Sequence, residues 1–78
     1  MSVKIVPTSS NGFNIELLEW RGNEGDVVVG ILECHTDGKS LYILRREKDF
    51  TKFKVIDDSS ALKKPKLLVE THSIEIRV

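Results

Sequence analysis

An intrachain disulfide is closed to this chain, because it carries a single cysteine, Cys34. Small secreted domains are ordinarily rich in cysteine, so a reducing compartment, the cytoplasm, is the expectation. No stretch approaches the roughly 18 apolar residues of a membrane span. The segment Met1–Pro7 lacks the apolar run that follows the charge of a signal peptide. Proline is scarce, with two residues, and nothing in the composition is collagen-like or of low complexity. Neither sign of charge is in excess: 12 basic residues balance 12 acidic ones. There is no phosphate-cradling loop, since Gly22, Gly25 and Gly30 fit neither P-loop nor dinucleotide spacing. There is no second cysteine to join Cys34, His35 and His72 in a zinc pattern. The sequence therefore implies no metal, no cofactor, no small-molecule substrate and no membrane partner.

What remains is a chain of 78 residues, read as one domain over 1–78. A domain of this size buries only about 60–65% of its unfolded surface, so its core is marginal and an oligomeric partner would help it. The charge is unevenly spread. Residues 39–66 hold nine basic side chains against Glu47, Asp49, Asp57 and Asp58, whereas residues 1–38 hold Lys4 and Arg21 against six carboxylates.

The strongest local signal lies in residues 27–46. Val27–Cys34 is rich in β-branched residues and reads as a strand. Asp37-Gly38 offers the positive φ angles of a two-residue type I′ turn, and Ser40–Arg46 reads as the returning strand. That turn predicts Cys34 opposite Leu41, Leu32 opposite Ile43 and Ile31 opposite Leu44. Thr51–Ile56 alternates polar and apolar residues, which predicts a second hairpin. In it Leu44 would face Phe53, Tyr42 would face Val55, and Arg45 would lie opposite Lys52. Val3–Val6 is a short strand ended near Pro7, and Asn11-Gly12 marks a turn. Phe13–Trp20 favours a strand over a helix through the alternation of Phe13, Ile15 and Leu17. Asp58 or Ser59 could cap a helical turn through Ser60–Lys64. The tail Leu67–Val78 is strand-like, with a change of parity that calls for a turn or bulge near Thr71-His72.

These elements predict an all-β single domain, a small barrel or sandwich of five to seven antiparallel strands, with room for one short helical turn. The strand 27–34 is apolar on both faces, which suits a central position or a covered one.

Catalytic constellations are thin. Cys34-His35 is the tempting nucleophile–base pair, but adjacent strand residues point to opposite faces. A binding role without catalysis is the expectation. The leading form is a protein-interaction domain that self-associates or docks on a protein partner, with Trp20, Arg21, Val28 and Leu32 as interface residues. Tryptophan and arginine are frequent interface anchors. The alternative is a single-stranded nucleic-acid binder built on the basic segment 39–66. It would use Arg45, Lys52, Lys54, Lys63, Lys64 and Lys66, with Phe50 as the stacking aromatic.

Overall fold

The computed structural model describes residues 2–59, 61–69 and 71–77. Among the described residues the chain forms seven strands in two antiparallel sheets that are not closed into a barrel. The larger sheet is a meander of β1 (Ser2–Pro7), β2 (Gly12–Trp20), β3 (Asp26–Thr36) and β4 (Leu41–Lys48). The smaller sheet is β5 (Lys54–Ile56), β6 (Lys66–Val69) and β7 (His72–Glu75). Two 3-10 turns, Gly22–Glu24 and Asp49–Lys52, complete the regular structure among the described residues.

Alternation sorts β2 as expected. Ile15 and Leu17 are wholly buried, while Asn14, Glu16, Leu18 and Trp20 face the other way. Phe13–Trp20 is thus strand and not helix. β1 and β2 pair from Ser2↔Leu18 to Pro7↔Phe13, and the loop between them closes through Thr8 and Ser9 N–H groups donating to the Gly12 carbonyl. β3 lies between β2 and β4, the inner position its apolar sequence favours. One extra residue, Val29, sits opposite the Leu17–Leu18 step. This β-bulge lets both Val29 and Gly30 reach the interior.

The β3–β4 reversal occurs at Asp37-Gly38, but its register differs from the predicted one. Thr36 pairs with Leu41 and Cys34 with Ile43, so the loop holds four residues, Asp37–Ser40. The cause is the Asp37 carboxylate. Its Oδ1 accepts the backbone N–H groups of Lys39 (2.9 Å) and Ser40 (2.8 Å). Gly38 has φ +89° whereas Asp37 does not take the positive φ that a type I′ turn also demands. A second bulge at Leu44 shifts the register again, so that Glu33 pairs with Arg45 and Leu32 with Arg46.

The predicted second hairpin does not form. β4 and β5 belong to different sheets, and the Leu44–Phe53, Tyr42–Val55 and Arg45–Lys52 pairs are absent among the described residues. At Lys48 (φ +56°, ψ −137°) the chain turns out of the sheet into the Asp49–Lys52 turn. The Thr51 hydroxyl donates to the Lys48 carbonyl and helps hold this exit. The turn drives Phe50 inward onto Gly30, where a Cβ would lie 2.7 Å from the ring. Glycine in mid-strand is here the mark of a close approach. Nor do the described residues of 58–64 form a helical turn. The Ser59 hydroxyl bonds the Ala61 carbonyl, and Leu62 makes an isolated bridge to Leu41; Ser60 lies outside the described residues. The parity change in the tail is a tight turn, since Val69 pairs directly with His72; Val78 lies outside the described residues.

The small sheet covers the inner face of the large one. A single core cluster joins Ile15, Leu17, Leu32 and Leu41 to Val55, Leu62, Leu67, Val69 and Ile76, with Phe50 at no exposure. The outer faces of the two sheets therefore look in opposite directions, and the molecule is plate-like, 39 × 28 × 18 Å.

Candidate functional site

The outer face of the large sheet is the surface on which the sequence and the fold converge. Glu16, Leu18 and Trp20 are delivered there by β2, Val28, Ile31 and Glu33 by β3, and Tyr42, Arg45 and Glu47 by β4. Trp20 ends β2 and is 70% exposed. Its facing residue is Asp26, and the adjoining pair on the same face is Leu18 and Val28, both half-buried. The turn after Trp20 is tight. Arg21 N–H donates to the Gly25 carbonyl, and Gly22 and Gly25 take positive φ. The backbone that carries the indole is thus fixed at the strand end. Arg21 stays beside it, its Nε 2.8 Å from Glu19 Oε2.

Of the four residues expected at an interface, Trp20, Arg21 and Val28 are accessible, and Leu32 is not. Leu32 is wholly buried, because β3 alternation from Leu32 to Cys34 faces the core. Sequence reasoning passed over Leu18 and Ile31, although the even-numbered positions of β2 already put Leu18 on the face of Trp20.

The basic segment is dispersed by the fold. Arg45 lies on the outer face of the large sheet, bridged to Glu33 (2.8 Å) and Glu47 (3.1 Å). The bulge at Leu44 creates this pairing. Lys52 sits in the 3-10 turn beside Asp49 (3.4 Å) and shares no sheet face with Arg45. Phe50, expected to be free for stacking, is fully buried. Tyr42 is half-buried on the outer face, and its hydroxyl donates to Asp37 Oδ2 (3.3 Å). Lys54 and Lys66 remain together, on the outer face of the small sheet with Glu75 opposite Lys66. Lys63, Lys64 and Arg77 adjoin them around a hollow of about 340 Å³ that also includes Glu75.

Where β4 and β5 fail to pair, two hollows of about 510 and 470 Å³ form a groove. The Arg46–Asp58 ion pair lies within it, and exposed Leu44 stands at its rim.

Cys34 and His35 diverge as alternation requires. Cys34 is in the core, its thiol donating weakly to the Leu32 carbonyl, and burial pushes its pKa up to about 12. A thiol so held is inert. His35 is exposed on the other face. Among the described residues no three His, Cys, Asp or Glu side chains are grouped as metal ligands, and no helix is long and apolar enough to cross a membrane. Asp37 is held below the usual carboxylate range by the N–H groups of Ser40 and Lys39, which makes it a turn-forming carboxylate. No family model, no curated protein and no solved structure matches this chain.

Proposed function

We propose that this chain is a non-catalytic protein-interaction domain that docks, on a protein partner or on itself, through the outer face of its large sheet. The observation that carries the reading is the exposure of Trp20 at a fixed strand end, with Leu18, Val28 and Ile31 along the same face. Burying a tryptophan of this kind against a partner removes a large apolar surface from water, at little cost in side-chain ordering. The mixed charges around it, Glu16, Asp26 and Lys4, suit a polar rim. A reducing, cytoplasmic setting accords with the single inert cysteine.

The test is photo-crosslinking from position 20, with position 39, exposed at the tip of the β3–β4 loop, as control. A discrete adduct from position 20 that Leu18→Lys abolishes is expected. Equal adducts from both positions, or none from position 20, refute the reading.

One observation favours a second reading, binding of single-stranded nucleic acid. Lys54, Lys63, Lys64, Lys66 and Arg77 gather on the small-sheet side. The most exposed aromatic, Trp20, lies on the other side of the plate, and the accessible aromatic that shares a hollow with Lys54 is half-buried Phe53. Affinity for random single-stranded RNA that falls steeply with salt, and that Lys54→Glu/Lys66→Glu removes, would establish it.

A further inference from the structure

The zero net charge of the chain hides a division between its two broad faces. The face of the large sheet presents Glu16, Asp26, Glu33 and Glu47 against Lys4 and Arg45, and Glu24 lies in the turn just beyond Trp20. The cations there are faced by carboxylates: Lys4 lies opposite Glu16 in the register, Arg45 is bridged to Glu33 and Glu47, and Arg21, beside Trp20, is bridged to Glu19. The face of the small sheet and its border present five cations, Lys54, Lys66, Lys63, Lys64 and Arg77. Against them stand two carboxylates among the described residues, Glu75 and Asp57. This basic face has an apolar element of its own, half-buried Leu68 and Ile56 between Lys54 and Lys66. The sequence already separates these charges along the chain, and the two-layer fold sets them back to back.

Resting on the reading of the Trp20 face as a docking surface, we infer that the partner is a second copy of this chain. The acidic Trp20 face of one copy seats on the basic small-sheet face of the next. Two like faces would bring carboxylates against carboxylates, whereas unlike faces bring opposite signs together and suppress the symmetric arrangement. The plate measures 39 × 28 Å across, ample for the roughly 800 Å² per partner of a stable interface. Such a contact is head-to-tail. It leaves one complementary face free at each end and continues to a closed ring or an open stack.

The head-to-tail arrangement has a signature that a symmetric dimer lacks. Lys54→Glu/Lys66→Glu spoils the basic face and leaves the Trp20 face intact. Trp20→Ser/Asp26→Lys spoils the Trp20 face and leaves the basic face intact. All four positions are exposed, and circular dichroism checks that both variants fold. Sedimentation equilibrium of the wild type at low salt is expected to show dimers and larger species, with association weakening about tenfold or more between about 50 and about 500 mM salt. Each variant alone is expected to be monomeric. Their equimolar mixture is expected to form a heterodimer and nothing larger.

Wild-type chain that stays monomeric at low salt overturns the inference. It leaves the Trp20 reading standing if position 20 still crosslinks to another protein. Self-association lost in the Trp20 variant but not restored by mixing overturns head-to-tail stacking in favour of a symmetric contact. Binding of random single-stranded RNA by the basic face, with no heterodimer on mixing, overturns it in favour of a nucleic-acid surface.

Discussion

Replacing Gly30 by alanine tests whether one ring locks β3 to the Asp49–Lys52 turn. A Cβ at Gly30 would lie 2.7 Å from Phe50 Cδ2, 3.0 Å from the Phe50 backbone nitrogen and 3.4 Å from Leu17 Cβ. The φ angle of Gly30 is not positive, so alanine itself is acceptable there. By strand preference alone the substitution would stabilise by roughly 0.5–1 kcal/mol. Insertion of a methyl group into a filled core costs about 1–3 kcal/mol. The ring could yield, but a backbone nitrogen cannot rotate aside, so the second effect wins by about 1–2 kcal/mol. In a domain of this size each kcal/mol lowers Tm by about 4–8 °C. Phe50→Ala removes a fully buried ring and should cost about 3–5 kcal/mol. With that ring gone its 2.7 Å contact goes while the 3.0 Å contact to the backbone nitrogen stays, so alanine at position 30 should cost about half as much, which leaves a coupling of about 0.5–1 kcal/mol in the double-mutant cycle. Urea titration of the four proteins, followed by far-ultraviolet circular dichroism, measures each step. A Gly30→Ala protein as stable as wild type, or one losing equal stability with and without Phe50, would refute this account of the core.

Other perturbations are as direct. Lys48→Gly should raise stability by about 1 kcal/mol, because Lys48 holds φ and ψ values that favour glycine; a lower Tm would show that its side chain contributes more than its backbone costs. Cys34 should resist thiol reagents at pH 8 until the chain unfolds, and its labelling rate should track urea-induced opening. Since its folded pKa lies above the ordinary thiol value, stability falls as pH rises from about 9 toward 12. Asp37 behaves in the opposite sense. Its folded pKa is depressed, so its contribution is present above the ordinary carboxylate value and is lost as pH falls through the lower folded one. Amide exchange at Lys39 and Ser40 should quicken over that acid range and in Asp37→Ala at neutral pH; unchanged protection would deny the carboxylate its part in the loop.

Much of the β architecture was legible because it rests on local pattern. The alternation in Phe13–Trp20, the Asp37-Gly38 reversal and the parity change before Ile74 each name a strand or a turn without knowledge of the rest. Three features were not local. The loop at Asp37 has four residues because its carboxylate outcompetes the two-residue turn for the Lys39 and Ser40 amides. The bulge at Leu44 has no compositional mark, yet it decides that Arg45 meets Glu33 and not a neighbouring cation. Phe50 lies in a polar stretch, and its burial depends on the space left by a glycine on another strand. That glycine, isolated within an apolar run, was the available sign of a close approach. For the surface, the sequence showed where charge accumulates along the chain, but only the two-layer fold shows which charges share a side.

The join between β4 and the segment after β5 is fastened at one end. Leu41 and Leu62 exchange two backbone hydrogen bonds there, while farther along β4 the gap is crossed by an arginine–aspartate contact. With the core shared by both sheets, a clasp of this kind confines the least costly opening to the short edge strand β5 and the exposed Asp57–Ser59, with the four-stranded meander staying whole. Proteases and exchange-sensitive probes should therefore find residues 54–59 before any part of β2 or β3, and a ligand that seals the seam would stiffen the domain without touching either broad face.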